Sequence, residues 1–453
     1  MASALAQLAA CGGSGGGGAV AAPPLPEFTA APLTAASASL SFAQVKRFRF
    51  SRSDAPDASY YRLLENVDGQ SGFSVIADNI APGTQSIDIE VPLCHRLNAS
   101  YFLQSCNPLG CTDSATVPVS GALIDSIGYF KASNTDAADQ FGFALDISDD
   151  GQVLVVGAPS EDSAATGVDG NHMDNSQPGA GAVYLFARVD TSWQQAAYIK
   201  ASNSEAGDQF GYAVALSGDA STLAVAARLE GSNASGINGD QANNLAANAG
   251  AVYLFSQATG SWAQQAYIKS PQVDAGDMFG WSLALSGNGD RLAVSAPNEA
   301  SAALGVGGDA NDNSAAGAGA AYLYQRSAGS WSLAEYIKAG NTDAGDQLGF
   351  SLDLNAAGDT LVVGAHGEAS AATGVDGDTL DNSAAFAGAA YIFVESGGSW
   401  SQQAYLKASN TDAQDRFGWS VSLSDSGDTL AAATYAESSA ATGINGDQAD
   451  NSA

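Results

Sequence analysis

Short apolar runs return at a fixed interval along the sequence from residue 121 onward. A Tyr-Ile-Lys tripeptide, or a close variant of it, occurs at 129–131, 198–200, 267–269, 336–338 and 405–407. The step between them is 69 residues each time, and four tryptophans keep the same step: Trp193, Trp262, Trp331 and Trp400. Such an unvarying period indicates that each repeat is one structural module packed against the next.

Within the first repeat the hydrophobic pattern predicts four strands, at 143–147, 153–156, 182–186 and 193–200. The second and third strands are apolar on both faces, so both faces must be covered. The fourth carries Gln194, Gln195 and Lys200, which predicts a more exposed strand. Four-stranded sheets stacked around an axis form a β-propeller, whereas solenoid repeats are usually shorter, about 20–45 residues. Residues 121–453 are therefore predicted to form all-β propeller blades.

Residues 37–120 show a different alternation of apolar and polar positions. Phe48 and Phe50 fall on one face of a predicted strand, and Ile87 and Ile89 fall on one face of another. Short strands at this spacing, separated by turn-forming residues, are typical of an antiparallel sandwich. The sequence therefore predicts an N-terminal β-sandwich ahead of the repeats.

The motifs inside the repeats resemble the FG-GAP repeats of the integrin α-subunit propeller. Each repeat has a Phe-Gly or Leu-Gly pair, then a Gly-Ala-Pro or related triplet, as at 141–142 with 157–159, 279–280 with 295–297, and 348–349 with 364–366. The triplet departs from the pattern at 226–228 and 433–435. The resemblance covers 129–453 and implies a seven-bladed propeller with a binding or adhesion role.

The fifth repeat stops half way, at Ala453, so only four repeats are complete. An open array leaves an exposed edge strand and an uncovered sheet face. We therefore expect that the sequence is truncated or that another chain supplies the missing blades.

Residues 37–120 resemble a fibronectin type III domain. The matching stretches are 58–62 and 105–110, and Phe48 stands where that family usually has tryptophan. Cys106 and Cys111 flank a short turn, which predicts a disulfide between them in an oxidising compartment. Cys94 is then left as a free thiol.

The first residues resemble the lipobox of bacterial lipoproteins. Leu8-Ala9-Ala10 precedes Cys11, and a flexible Gly/Ala/Pro linker follows at 12–36. The resemblance implies a signal-like segment at 1–11, a lipid on Cys11, and a secreted or outer-membrane-anchored protein of the bacterial cell envelope. The segment departs from a signal peptide in having no basic residues ahead of its apolar stretch.

Charge restricts the partners of the chain. With 48 acidic against 16 basic residues, the formal net charge is −32. Such a surface repels the phosphates of nucleic acids and anionic lipids, so membrane contact is expected only through the lipid anchor. The histidines, His95, His172 and His366, occupy no repeated position, and no catalytic motif is present. We therefore expect a protein that is not an enzyme.

The integrin resemblance also implies calcium, held in a D-x-D-x-D-G loop between the two halves of the motif. Asp146 and Asp150 take the first and fifth positions of this loop, and Gly151 follows them. Carboxylates at alternating positions of a tight loop suit a hard cation. The ninth position, which is normally acidic, is Leu154.

A longer acidic loop follows the second predicted strand of each repeat and is the second calcium candidate. Its side-chain oxygens at relative positions one, three and six are suited to wrapping Ca²⁺. The same residues equally serve as turn caps that accept backbone N–H bonds. The candidates are Asp169, Asn171 and Asp174; Asn238, Asp240 and Asn243; Asp309 and Asp312; Asp376, Asp378 and Asp381; and Asn445, Asp447 and Asp450.

Two further sets recur in every repeat. An aspartate two residues before the Phe-Gly pair is interpreted as a turn clamp: Asp139, Asp208, Asp277, Asp346 and Asp415. The repeated tryptophans are interpreted as packing between blades rather than as sugar platforms.

Three functions follow from these patterns. The first is adhesion or ligand binding, in which the loop face of a surface-anchored propeller binds a protein or a glycan. The second is a periplasmic scaffold for envelope assembly. The third is a polysaccharide-cleaving enzyme, which requires a pocket with two carboxylates at catalytic spacing.

Overall fold

The computed structural model describes residues 35–44, 47–90, 98–119, 130–189, 192–258 and 260–452, together with Ala30 and Arg96. The chain divides into two compact units, 1–128 and 129–453. Cys11, Cys94 and most of the predicted linker lie outside the described residues. No helix occurs in the described ranges, and none there has the length and apolarity that a membrane crossing requires.

In the part of the first unit that the structure describes there are eight strands: β1 (Ala38–Gln44), β2 (Arg47–Arg52), β3 (Tyr60–Asn66), β4 (Ser74–Ile80), β5 (Ser86–Glu90), β6 (Ser100–Asn107), β7 (Gly110–Asp113) and β8 (Val117–Pro118). They form one sheet in the order β1-β2-β5 and another in the order β4-β3-β6-β7, with β8 beside β6. Phe48, Phe50, Tyr61, Tyr101 and Leu103 are buried together between them, as the alternation of apolar positions requires.

The described residues of the second unit form eighteen strands. The first sheet has β9 (Ala144–Ile147), β10 (Val153–Ala158), β11 (Ala182–Val189) and β12 (Ser192–Ile199), and the second has β13 (Phe210–Leu216), β14 (Thr222–Ala227), β15 (Ala251–Ala258) and β16 (Ser261–Ile268). The third has β17 (Leu283–Leu285), β18 (Arg291–Ala296), β19 (Ala320–Ser327) and β20 (Ser330–Ile337), and the fourth has β21 (Leu348–Leu354), β22 (Thr360–Ala365), β23 (Ala389–Ser396) and β24 (Ser399–Leu406). The last two strands, β25 (Ser420–Leu423) and β26 (Leu430–Ala433), form a two-stranded sheet.

Each four-stranded sheet pairs its strands antiparallel and in chain order, which is consistent with propeller blades. In the second, third and fourth sheets, the apolar second and third strands are covered on both faces by neighbouring sheets. Val155 and Leu185 of the first sheet, for example, pack with Leu223 and Phe255 of the second. The predicted all-β fold and its four-stranded modules are confirmed.

Glycines join successive sheets where their backbones meet. Gly181 forms a parallel bridge with Phe210, and Gly319 and Gly388 form the same bridge with Leu348 and Phe417. A Cβ atom at Gly181 would lie 2.1 Å from the carbonyl oxygen of Phe210. Because this approach leaves no room for any side chain, glycine is required there.

The first strands of four successive sheets and the turn after β25 line a common cavity, to which Asp146, Leu216, Leu285, Leu354 and Asp425 contribute. The turns after these strands are linked through backbone hydrogen bonds between neighbouring sheets. Gly287 N donates to Ala356 O at 2.9 Å, and Ala356 N donates to Asp425 O at 3.1 Å. The first strand of each sheet is therefore its innermost strand.

One expectation about exposure is wrong. Gln194 and Gln195 of the fourth strand are exposed as predicted, but Lys200 at its end is completely buried. Its ammonium group pairs with Glu161, whose Oε2 lies 2.7 Å from Nζ. A lysine is expected at the surface unless a charged partner compensates its burial, and here the partner lies 39 positions earlier in the sequence.

Candidate functional site

A continuous row of aromatic rings crosses all five repeats, and we call it the aromatic arc. Each of its first five members directly follows the Phe-Gly or Leu-Gly pair, and the sixth comes from the triplet of the last repeat. The members are Phe143, Tyr212, Trp281, Phe350, Trp419 and Tyr435. From the first ring to the last, consecutive ring centroids lie 5.0, 5.4, 5.4, 4.5 and 4.4 Å apart.

Local backbone geometry places these side chains. The glycine of each pair has a positive φ, +87° at Gly211 and +93° at Gly280, a conformation that favours glycine. The residue before the pair is also left-handed, as at Gln209 with a φ of 60°. The turn thus buries the first aromatic ring, as at Phe210 and Phe279, and leaves the ring after the glycine partly exposed.

The rings of the arc are exposed to solvent to a greater degree than the aromatic rings of the hydrophobic core. Phe143 is 50% exposed and Tyr435 is 64% exposed, and the four rings between them are partly exposed. Trp281 also donates from Nε1 to Phe350 O at 3.1 Å, which fixes its ring against the next repeat. Partly exposed aromatic rings held in fixed positions offer apolar contact area to a ligand at low entropic cost.

Three departures from the Gly-Ala-Pro triplet contribute to the arc. The proline position is occupied by Arg228, His366 and Tyr435 in the second, fourth and fifth repeats. The guanidinium of Arg228 lies 3.8 Å from the ring centroid of Tyr212, and the His366 ring stacks on Phe350 at 4.0 Å. Positions that look like decay of the motif therefore supply the site with a cation and two rings.

Arginines carry the positive charge of this surface. Arg416 lies 5.8 Å from the ring centroid of Trp419 and 5.9 Å from that of Tyr435, within cation–π range. Burial and the nearby charge of Arg416 lower the pKa of His366 to about 4. The imidazole is consequently neutral at neutral pH, and the positive charge comes from Arg228 and Arg416.

A second recurring set is buried and polar. In the first repeat Glu161 accepts hydrogen bonds from Lys200 at 2.7 Å, Tyr198 at 2.8 Å and Asn134 at 2.9 Å, and Tyr184 donates to Asn134 at 2.6 Å. We call this set the buried ion-pair network. Its ion pair recurs as Glu230–Lys269, Glu299–Lys338 and Glu368–Lys407.

The repeated ion pairs are closed to solvent. Nζ of each lysine lies 2.7 or 2.8 Å from Oε2 of its glutamate, and the side chains are at most 5% exposed. Burial lowers the pKa of each lysine, and the charge of the paired glutamate opposes this shift. A fully paired, enclosed set is suited to holding the loops of a repeat together rather than to binding a ligand.

The aspartates before the Phe-Gly pair act as the predicted turn clamps. Asp346 Oδ2 accepts from Asp343 N at 2.8 Å, and Asp139, Asp208, Asp277 and Asp415 accept from the equivalent backbone amide. Burial raises the pKa of Asp208, Asp277 and Asp346 to about 7.

The first position of the long acidic loop docks onto the last strand of its own sheet. Asp169 Oδ1 accepts from Tyr198 N at 3.0 Å, Asn238 Oδ1 accepts from Tyr267 N at 3.0 Å, and Asp376 Oδ1 accepts from Tyr405 N at 2.9 Å. These residues and Asn445 have positive φ, which asparagine and aspartate tolerate better than most residues.

The third and sixth positions of the same loop cap turns. Each side chain accepts a hydrogen bond from the backbone amide two residues later: Asn171, Asp174, Asp240, Asn243, Asp309, Asp312, Asp378, Asp381, Asp447 and Asp450. Within the described ranges, no group of three or more His, Cys, Asp or Glu side chains is arranged to hold a metal ion. The calcium hypothesis stays a prediction that calorimetry with Ca²⁺ and EGTA tests.

Asp146 and Asp150, the candidates in the first calcium loop, face different partners. Asp146 Oδ2 accepts from Leu216 N in the next sheet at 2.7 Å, and Asp353 Oδ2 accepts from Leu423 N in the same way at 2.8 Å. Asp150 Oδ1 accepts from Ser148 Oγ at 2.7 Å. Asp146 therefore links the innermost strands of the first and second sheets, and Asp150 caps a hairpin turn.

The remaining candidates are not members of the arc. Cys106 and Cys111 face each other on β6 and β7, with their sulfur atoms 2.08 Å apart. Trp262, Trp331 and Trp400 are buried in the cores between sheets, in agreement with a packing role. Sequence reasoning missed the arc, although an aromatic residue after every Phe-Gly or Leu-Gly pair, in 69-residue register, is visible in the sequence.

Comparisons with known proteins agree with the repeat pattern. A family model described as the FG-GAP repeat matches residues 193–255, 262–324 and 400–447. FG-GAP repeats indicate an adhesion or binding module and are in general structural and binding elements rather than enzymes. No curated protein matches the chain.

Among solved structures, the FN1–FN3 domains of chicken CNTN1 match 67% of this chain and 98% of their own, with 10% sequence identity. The TM-score is 0.17, so this similarity carries no structural argument. The fibronectin type III assignment of the first unit therefore stays a prediction.

Proposed function

We propose that the chain is a non-enzymatic adhesion module that binds a protein or a glycan through the aromatic arc. The observation that carries this proposal is the row of partly exposed aromatic rings that runs without interruption from Phe143 to Tyr435. A row of rings of this extent, joined across five repeats, matches an elongated ligand better than a small one. The FG-GAP repeats support a binding role independently of the arc.

Contacts around the common cavity of the first strands disfavour the alternative of a polysaccharide-cleaving enzyme. Asp146 and Asp353 line this cavity, and both oxygens of each carboxylate accept backbone amides. A general acid or nucleophile must be positioned to reach the substrate, whereas these carboxylates are directed at backbone amides. These two carboxylates instead stabilise the packing of neighbouring sheets.

Binding of the full chain to an immobilised panel of neutral glycans, acidic glycans and peptides tests the proposal. We expect the Trp281→Ala variant to lose at least about tenfold in affinity for whatever ligand is bound, since truncating an aromatic hot spot of a binding surface costs about 2 kcal/mol or more. Phe73→Ala is the matched control, because Phe73 is an exposed ring of the first unit that contacts Phe102 edge to face. Equal affinities of the wild type and the Trp281→Ala variant contradict a role of the arc.

We also propose that a lipid on Cys11 anchors the chain to the bacterial envelope, with seven blades in the complete propeller. The Gly-rich stretch after Cys11 supports this, since it provides flexible reach from a membrane. Growth of an expressing bacterium with radioactive palmitate should label the protein, and Cys11→Ser should abolish the label. Label that persists in the Cys11→Ser variant contradicts the anchor.

A further inference from the structure

Arg228 and Arg416, which lie beside rings of the aromatic arc, have no acidic partner among the described residues, although the protein is rich in acids. In the repeats Arg326 pairs with Asp290, Arg291 pairs with Glu395, and the lysines of the buried ion-pair network pair with glutamates. Arg228 and Arg416 form no ion pair with a carboxylate in the part of the chain that the structure describes. With 48 acidic residues against 16 basic ones, acids are plentiful, so two guanidinium groups that face aromatic rings and no carboxylate stand out.

The two guanidinium groups mark separate points of the arc. Arg228 lies 3.8 Å from the ring centroid of Tyr212 and 4.9 Å from that of Trp281, and its Nε donates to Gln209 Oε1 at 2.8 Å. Arg416 lies at the other end, beside Trp419 and Tyr435. Phe350 stands between the two groups, since it contacts both Trp281 and Trp419.

We infer that the arc binds an acidic glycan in which charged sugars are separated by neutral ones, an inference that rests on the binding role proposed above. The C–H face of a pyranose ring packs against an aromatic ring, and a sugar carboxylate pairs with a guanidinium. The two guanidinium groups lie on either side of Phe350, so they match a ligand whose negative charges are also set apart along its length. The formal net charge of −32 disfavours densely charged polymers such as nucleic acids.

Isothermal titration of the full chain tests the inference with two matched probes. One is a hyaluronan octasaccharide, in which glucuronate alternates with a neutral sugar, and the other is the same octasaccharide with its carboxylates reduced to alcohols. We expect the acidic probe to bind at least tenfold more tightly than the reduced probe. Oligogalacturonate, octaglutamate and oligothymidylate are measured beside them as densely charged glycan, peptide and nucleic acid.

Single variants assign the charge effect to the arc. Arg228→Gln and Arg416→Gln should each weaken the acidic probe at least fivefold and leave the reduced probe unchanged. The matched control is Arg326→Gln, because Arg326 lies 5.5 Å from the ring centroid of Trp331 but is paired with Asp290. This variant should bind both probes as the wild type does, and circular dichroism verifies that all three variants are folded.

The possible outcomes separate this inference from the proposed function. Equal binding of the acidic and reduced octasaccharides, with loss of both in Trp281→Ala, overturns the acidic class and keeps the arc as a binding site. Binding of octaglutamate or oligothymidylate, with no glycan bound, likewise overturns the inference alone. If no probe binds in a way that Trp281→Ala weakens, both the inference and the role of the arc are wrong.

Discussion

The buried ion-pair network and the aromatic arc occupy the same repeats and vary in opposite ways. The network keeps its glutamate and lysine in all four complete repeats, with nearly identical distances. At the arc the residue after the Phe-Gly or Leu-Gly pair changes from Phe to Tyr to Trp, and the proline of the triplet gives way to Arg, His and Tyr. Uniform positions indicate what every repeat needs in order to fold, whereas varied positions that share one surface indicate recognition.

Removing a cation from the network should produce the largest change in stability. Lys269→Met leaves Glu230 buried without its counter-ion, and breaking such a pair costs about 3–5 kcal/mol. Urea unfolding followed by tryptophan fluorescence measures this loss. The double variant Glu230→Gln/Lys269→Met removes both charges and should recover at least half of it. Equal losses in the single and double variants contradict the importance of charge pairing.

The glycines at the close approaches between sheets allow a second test, with a smaller expected effect. A Cβ at Gly250 would lie 2.1 Å from Phe279 O, so Gly250→Ala should cost about 1–3 kcal/mol through overpacking. Gly276→Ala is the matched control, because its φ is also positive, +91°, and nothing lies within 4 Å of its Cβ position. The difference between their unfolding free energies isolates the clash from the backbone strain, and no difference contradicts the close approach.

Much of this framework could be predicted from the sequence. The 69-residue step, the apolar runs and the turn residues located the strands of the first repeat to within a few residues. The 69-residue period is a good guide to the strands because each module makes the same local contacts with its neighbour. In the first unit, β4 and β7 were missed because exposed polar residues such as Ser74 and Asp113 leave little apolar alternation. The strand β1 was also missed, although Ala38, Leu40 and Phe42 alternate with serines there.

The candidate site was harder to predict because its contacts join different repeats. Lys200 meets Glu161 across 39 residues, and no local pattern shows that both are buried. Phe143 and Tyr212 become neighbours only because successive sheets stack with their first strands side by side. The triplet at Arg228 was interpreted as decay of a motif, since a single repeat does not show that this position faces the ring after the Phe-Gly pair.

The buried aspartate clamps predict a pH dependence. Burial raises the pKa of Asp277 to about 7, above the value of 3.8 for an unshifted aspartate, so the folded chain holds a proton that the unfolded chain releases. Stability from this group is full below about pH 4 and is lost as the pH rises to about 7, at about 1.4 kcal/mol per pH unit.

The Asp277→Asn variant stays neutral and retains an oxygen that can accept from Asp274 N. Its unfolding free energy should therefore fall less between pH 5 and 7 than that of the wild type. Asp309→Asn is the control, because Asp309 lies in an exposed turn and hydrogen bonds to Asn311 lower its pKa. Parallel pH profiles of the wild type and Asp277→Asn contradict a protonated clamp.

Truncating the arc should have the smallest effect on stability, and this result would sharpen its contrast with the core. Trp281 is partly exposed, so Trp281→Ala should cost about 1 kcal/mol, near the centre of the distribution for single substitutions. Trp262 is 8% exposed and packs between the first and second sheets, so Trp262→Ala should cost about 3–5 kcal/mol. Urea unfolding of both variants compares two tryptophans of one repeat array with different surroundings. If Trp281→Ala is as destabilising as Trp262→Ala, the arc is part of the hydrophobic core, and its exposure no longer indicates a ligand.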